Sequence, residues 1–361
     1  MKETLIRPTS RRSLLRGLRA AGAAGVAISI LPRRSFAAEE KKLNVYNWDT
    51  YIGKTTLDTF KAKTGIEIQY DLFASNEELF AKLKAGNPGY DVIVPTDYTL
   101  ADMIAVGMVE PIDHSKIPNI KNIDPDPKFS NPVYNPGLKY GLPYMWGTVG
   151  LGYRPSKTGE IDSLAVIFDS DKFSGRIALL DDQREVLGFA LKFLGYSINS
   201  ANADEIKKAR DLLIKQKKHI KTLAGDNGQD LLLAGEVDIT MEYNGDIVQI
   251  MHEDKDIAYV VPKEGGTVWI DNMAIATGAP HPDNAHGFLN HINDPEVNAE
   301  LTNTIQYATP NAAARKLINP EDLDNPAIYP PAEVLSKSEG LAPLGDALRL
   351  YDEAWTAFKA A

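Results

Sequence analysis

The chain of 361 residues contains no cysteine, which excludes a disulfide framework and lipid attachment through a thiol. It also lacks a long apolar run near its start: the stretch from Ala20 to Leu31 is too short to span a bilayer. No Gly-x-Gly-x-x-Gly follows the first apolar segment after it, and neither a P-loop nor a Gly-x-Ser-x-Gly elbow occurs. Histidines are few and scattered. His286 and His291 are five apart, not the four that set two ligands on one helical face, so neither a zinc site nor any other metal or cofactor site is expected. A basic, aromatic nucleic-acid surface is missing as well. Nothing marks a nucleophile or an oxyanion hole. The one enzyme class left open is an exported carbohydrate-active enzyme using Asp182 with Glu185, or Asp271, as paired acids.

What is present begins with an export signal. Ser10-Arg11-Arg12-Ser13-Leu14-Leu15-Arg16 precedes the apolar stretch, and Ser35-Phe36-Ala37 offers small residues for cleavage. The paired arginines resemble the twin-arginine type, so residues 1–37 read as a signal peptide and the mature protein as periplasmic. Eight basic residues against Glu3 give that segment a net +7, so removing it takes the chain from −10 to −17. Such acidity aids solubility and attracts cations, and it disfavours nucleic acid and anionic membranes.

The remaining 320 or so residues suggest about two domains. Strand and helix patterns alternate: strands at 43–46, 66–70 and 92–94, with helices at 54–63, 77–84 and 100–106 between and after them. A proline-rich stretch runs from Pro111 to Pro143. Strands then recur at 177–180, 237–241, 257–261 and 267–270, with helices at 185–194, 203–215, 246–252, 284–291, 295–305 and 345–359. This order predicts an α/β fold with a parallel sheet, helices on both faces, and a lobe boundary near Tyr144–Gly152.

In such sheets ligands sit outside the carboxyl ends of the strands. Aromatic and acidic residues gather at those positions. Trp48, Asp49 and Tyr51 follow the first strand, and Thr96, Asp97 and Tyr98 the third. Asp181, Asp182 and Glu185 follow the strand at 177–180, and Tyr243 and Asp246 the one at 237–241. Trp269 and Asp271 close the strand at 267–270, and Tyr307 lies just past a helix. Aromatic faces beside carboxylates suit an organic cation with an apolar stem. Each residue also has a purely structural reading. Asp182 and Glu185 have capping-box spacing, Asp246 can complement a helix N-terminus, and the aromatics can be core. Asp271 is the hardest to explain structurally, because an acid beside Trp269 is costly when buried unpaired.

Over nearly its whole mature length the chain resembles the periplasmic spermidine/putrescine-binding proteins of ABC importers. The resemblance rests on Tyr46-Asn47-Trp48 with Tyr51, Thr64-Gly65-Ile66, Ser75-Asn76-Glu77, Tyr90-Asp91 through Val94-Pro95, and Leu142-Pro143-Tyr144-Met145-Trp146-Gly147. It continues through Asp181-Asp182, Arg184-Glu185-Val186, Pro262-Lys263-Glu264-Gly265-Gly266, Trp269 with Asp271, and Tyr307-Ala308-Thr309-Pro310-Asn311. It implies a two-lobed, type II venus-flytrap protein that is monomeric, captures a polyamine without chemistry and passes it to a membrane permease. One lobe would hold residues 39–146 with 271–320, the other 147–270 with 321–361. It also implies that Trp48, Tyr51, Tyr98, Tyr243, Trp269 and Tyr307 line the cleft, that Thr96 supplies a hydroxyl, and that Asp182, Glu185 and Asp271 pair with ammonium groups, as Asp246 does in putrescine-type members. The chain departs from the family pattern at Asp49-Thr50, where a hydroxyl residue then an acid is usual, at Tyr243, usually Trp, and near Leu341, where a polar residue can occur. Those departures leave open another amine ligand, such as an amino acid derivative or opine.

Overall fold

A computed structural model describes residues 39–225 and 227–361; the expected signal peptide lies outside them. Among the described residues nine strands are present: β1 (Lys42–Trp48), β2 (Glu67–Phe73), β3 (Val92–Ile93), β4 (Gly141–Tyr153), β5 (Ile177–Leu180), β6 (Ile220–Ala224), β7 (Ile239–Tyr243), β8 (Ala258–Val260) and β9 (Thr267–Ile275). They form one sheet in the order β2-β1-β3-β9-β4-β7-β5-β6, with β8 alongside β4.

The sheet is mixed rather than parallel. Two parallel groups, β2-β1-β3 and β6-β5-β7, flank a central antiparallel pair, β4 and β9. β9 runs antiparallel to β3, and β4 antiparallel to β7. The βαβ alternation in the sequence signals each parallel group but carries no information about how the two join.

β4 was not legible as a strand. Its thirteen residues are all buried, yet they include four glycines and Pro143, all poor strand formers. Those glycines answer to distant packing. A Cβ on Gly147 would come within 2.6 Å of the Trp269 ring, and one on Gly150 within 2.5 Å of the Val260 carbonyl. Pro143 sits where the β4–β9 register shifts. β9 likewise runs past the apolar segment 267–270, because Asp271 and Asn272 continue it although both are polar.

Local chemistry sets the helices that matter here. α1 (Thr56–Thr64) ends on Gly65 at φ 70, a left-handed cap that favours glycine. α2 (Asn76–Lys84) starts on the Ser75 hydroxyl, which accepts from the Glu78 amide. α3 (Asp97–Ala105) follows β3 after a short turn. The helix Gln183–Phe193 follows β5, and Asn244–Glu253 follows β7 directly. One main hydrophobic cluster runs through both strand groups. Among the described residues no helix is long and apolar enough to cross a membrane.

Candidate functional site

The carboxyl ends of β1, β3, β5 and β7 border one partly open cavity, and β9 crosses it. Of the fourteen residues that the sequence gathers at strand ends and past a helix, twelve line it: Trp48, Asp49 and Tyr51 after β1, Thr96 and Tyr98 at α3, Asp182 and Glu185 after β5, Tyr243 and Asp246 after β7, Trp269 and Asp271 from β9, and Tyr307. Asn76 and Leu341 complete the wall.

Four acidic residues differ in how their carboxylates are held. Asp271 is 6 % exposed. Its Oδ1 accepts from Thr96 Oγ1 at 2.7 Å. Burial pushes its carboxyl up to about 7, against the opposing pull of the Thr96 and Tyr51 hydroxyls. Contrary to the expected strand end, Trp269 and Asp271 lie within β9, facing the cavity two residues apart.

Asp182 and Glu185 form only half of a capping box. Asp182 caps its helix, accepting from the Arg184 and Glu185 amides at 2.8 and 3.0 Å. Glu185 turns away from that cap and accepts from Thr267 Oγ1 at 2.6 Å. Burial, reinforced by the Asp182 charge, pushes the Glu185 carboxyl up to about 8. Burial also raises Asp182, opposed by the two amides. Asp246, in the first turn of its helix, accepts from the Tyr307 hydroxyl at 2.5 Å. Gly245 is required beside it, because a Cβ there would sit 2.5 Å from the Tyr307 ring.

The aromatic walls are interlocked. Trp269 packs edge-on to Tyr307 at 5.2 Å and to Tyr243 at 6.0 Å, and Tyr51 meets Tyr307 at 5.3 Å. Trp48 donates its indole N–H to the Val94 carbonyl at 2.9 Å, which fixes its ring against Phe73. Burial keeps the Tyr51 and Tyr98 phenols protonated, with Asp271 and Asp182 respectively adding to the effect. Asp49 is exposed and accepts from the Thr50 amide at 2.8 Å. Thr50 itself holds φ 48, a strained conformation for a β-branched residue.

Two neighbours fall elsewhere. Asp181 does not reach the cavity but pairs with Lys359 at 2.6 Å. Asp97 is buried behind it, its carboxyl pushed up to about 8 by burial and held back by the Tyr98 and Ile270 amides. Asn76 was not singled out. It donates to Thr96 Oγ1 and Tyr98 Oη, each at 3.0 Å, and so orients two of the lining groups. Its signal was available: it opens a helix just past the carboxyl end of β2. Leu341 carried no comparable signal. No lysine or arginine lines the cavity, and among the described residues no cluster could hold a metal ion. The arrangement can therefore hold a flexible cation by carboxylates and aromatic faces, and it presents no activated nucleophile.

Comparison with known proteins agrees with this chemistry. The family model for bacterial extracellular solute-binding proteins matches residues 55–330. A putrescine-binding periplasmic protein of Pseudomonas aeruginosa is 35% identical over 341 residues, covering 90% of this chain and 93% of its own. A spermidine/putrescine-binding periplasmic protein of Escherichia coli is 35% identical over 350 residues, covering 96% and 98%. Among solved structures, a putative spermidine/putrescine ABC transporter from Listeria monocytogenes superposes with a TM-score of 0.84 at 34% identity, covering 89% of this chain and 99% of that one.

Proposed function

The chain belongs to the bacterial extracellular solute-binding proteins and has their two-lobed α/β fold, and from that premise we propose that it is the periplasmic component of an ABC importer that captures polyamines of the putrescine and spermidine type. One observation carries the reading. Five carboxylates (Asp49, Asp182, Glu185, Asp246 and Asp271) and six aromatic rings share one cavity whose lining includes no basic side chain. The aromatic faces take the methylenes and the ammonium edges, and the carboxylates take the ammonium charges.

The lobes divide across β4 and β9, one formed by residues 39–146 with 271–320 and the other by 147–270 with 321–361. The pairing of Gly147 with Trp269 and of Met145 with Asp271 at the centre of those strands supports this boundary. Closure about those strands gives each carboxylate an ammonium partner in a drier site, and the closed form is what a membrane permease receives. The protein acts as a monomer, without catalysis and without nucleic acid. The paired Arg11 and Arg12 support export through the twin-arginine route.

An amino acid or opine would need a basic partner for its carboxylate. Arg184 is the nearest, but its guanidinium donates to Asn199 and to the Ala342 carbonyl, and it lines the outer groove instead of the cavity. Calorimetry against putrescine, spermidine, spermine, γ-aminobutyrate and arginine tests the reading. Saturable binding of the polyamines with none for γ-aminobutyrate is expected; absence of binding by every polyamine would sink it.

A further inference from the structure

Among the described residues, three other than glycine hold a positive φ, and Thr50, at 48, is the only β-branched one. That conformation is costly for a branched side chain. Thr50 is exposed, so burial of its own side chain does not offset the cost. What the conformation delivers is geometric. Trp48, Asp49 and Tyr51 all line the cavity, and Thr50, between the last two, does not.

Side chains from outside the turn hold it. The Tyr51 carbonyl accepts from Asn47 Nδ2 at 3.1 Å and from the Tyr144 hydroxyl at 2.7 Å. Asn47 Oδ1 accepts from the Trp48 amide at 2.8 Å, and Nδ2 also donates to the Tyr70 hydroxyl at 2.7 Å. One fully buried amide group thus spans the turn from Trp48 to Tyr51, with both N–H groups and the oxygen engaged. Tyr144 reaches the same carbonyl through an irregularity of the sheet. Between Pro143 and Met145, β4 advances two residues while β9 advances one, from Asn272 to Asp271. Tyr144 is the extra residue of that bulge, and a bulge re-aims a side chain. Its ring stands edge-on to the Tyr51 ring at 5.1 Å. Past the turn, Glu300 accepts from the Thr55 amide at 3.2 Å and from the Thr56 hydroxyl at 3.1 Å. Asn47, Tyr144 and Glu300 are all absent from the cavity lining.

We infer that Asn47 and Tyr144 are positioning residues: by gripping the Tyr51 carbonyl they hold the strained Trp48–Tyr51 turn in the form that receives the ligand. The inference rests on the polyamine reading of the same cavity. Released from that grip, Thr50 returns to a negative φ, and the change redirects the chain between Asp49 and Tyr51. The ligand then has to restore the turn, and its apparent affinity falls with the fraction of molecules that still hold it. The grip acts before the ligand arrives, as preorganisation, and neither donor reaches the ligand itself.

Calorimetry of polyamine binding to the purified wild type, three single variants and one double variant tests this. Tyr144→Phe is the milder probe, because it keeps the ring and removes one donor. Its affinity for putrescine is expected to fall about tenfold, and that of Asn47→Ala at least as far. Glycine holds a positive φ without strain, so Thr50→Gly alone is expected to bind like the wild type. Combined with Tyr144→Phe, it is expected to recover most of the loss. Unchanged affinity in Tyr144→Phe or in Asn47→Ala overturns the inference. So does a double variant no better than Tyr144→Phe, since the hydroxyl then matters for a reason other than the strain at Thr50. Either result leaves the polyamine reading intact. A wild type that binds neither putrescine, spermidine nor spermine overturns that reading and the inference with it.

Discussion

Asp91 and Asp271 are both buried aspartates, one just before β3 and the other in β9 opposite Thr96, past the carboxyl end of β3, and they do different work. Asp91 is fully buried, and its carboxylate is taken up by the chain itself. Oδ1 accepts from the His281 amide at 2.6 Å, and Oδ2 accepts from the Asn44 amide at 2.8 Å and contacts the His281 ring at 3.0 Å. It ties β1 to the start of the helix Pro282–Ile292. Asp271 is almost as buried, and its carboxylate accepts from the Thr96 hydroxyl. A carboxylate has about four acceptor sites. The chain fills those of the clamp and leaves most of those of the cavity acid, which on the proposed reading an ammonium group takes. Burial alone does not separate a structural acid from a binding one; the number of donors the fold itself supplies does.

The strongest way to break that contrast is Asp271→Asn. Polyamine affinity should fall by about 2–5 kcal/mol, because an ammonium would be left in the cavity without its partner charge. The empty protein should melt no lower, since its carboxyl is already costly to ionise. Calorimetry and thermal melts read both quantities, and a fall in melting temperature with affinity retained would reverse the roles assigned to the two acids. The counterpart, Asp91→Ala, should lower unfolding free energy by about 2–3 kcal/mol in urea titrations, with polyamine affinity kept, because it strands the Asn44 and His281 amides.

Proton linkage sharpens the same comparison. The carboxyls of Asp271 and Glu185 sit at about 7 and about 8 in the folded, empty protein, against roughly 4 for an unfolded carboxyl. Between those values the folded state binds more protons than the unfolded one. Their contribution to stability is thus full below about pH 4 and is lost as pH rises through about 7 to 8. Polyamine binding needs the ionised forms, so it should run the other way, strengthening from pH 6 to 8 by up to about tenfold per pH unit for each acid that must lose its proton. Calorimetry in two buffers of different ionisation enthalpy should show proton release on binding at pH 6.5. Pure proton neutrality there would refute the linkage. The smallest expected effect is that of Trp269→Leu, a loss of about 0.5–2 kcal/mol in affinity from cation–π contact and packing.

The twelve residues were legible because the physics that marks them is local. A strand of apolar residues ends, the chain turns, and an aromatic or acidic residue appears at the turn. That pattern found Trp48, Thr96, Asp182 and Tyr243 without reference to the rest of the chain, and the structure brings the segments carrying them to one cavity. It failed where a residue's environment is built by another segment. Trp269 and Asp271 read as a strand end but continue β9, since their neighbours across the ladder are in β4. β4 itself hid behind glycines whose necessity lies in the Trp269 ring and in β8. Asp181, beside Asp182 in sequence, was drawn outward by Lys359 from the last helix.

The sequence by itself determined the chemistry at stake: an acidic, aromatic constellation without cysteine or nucleotide motif, set at the ends of strands. Side-chain type and short-range spacing carry that much. Only the tertiary structure decided how many donors each acid meets, on which side of the wall Arg184 lies, and that Leu341 joins the cavity lining. Those outcomes depend on burial and on contacts between segments up to about 245 residues apart, as between Asn284 and Glu39. Desolvation and close approach belong to the assembled surroundings of a residue, which no local stretch of chain encodes.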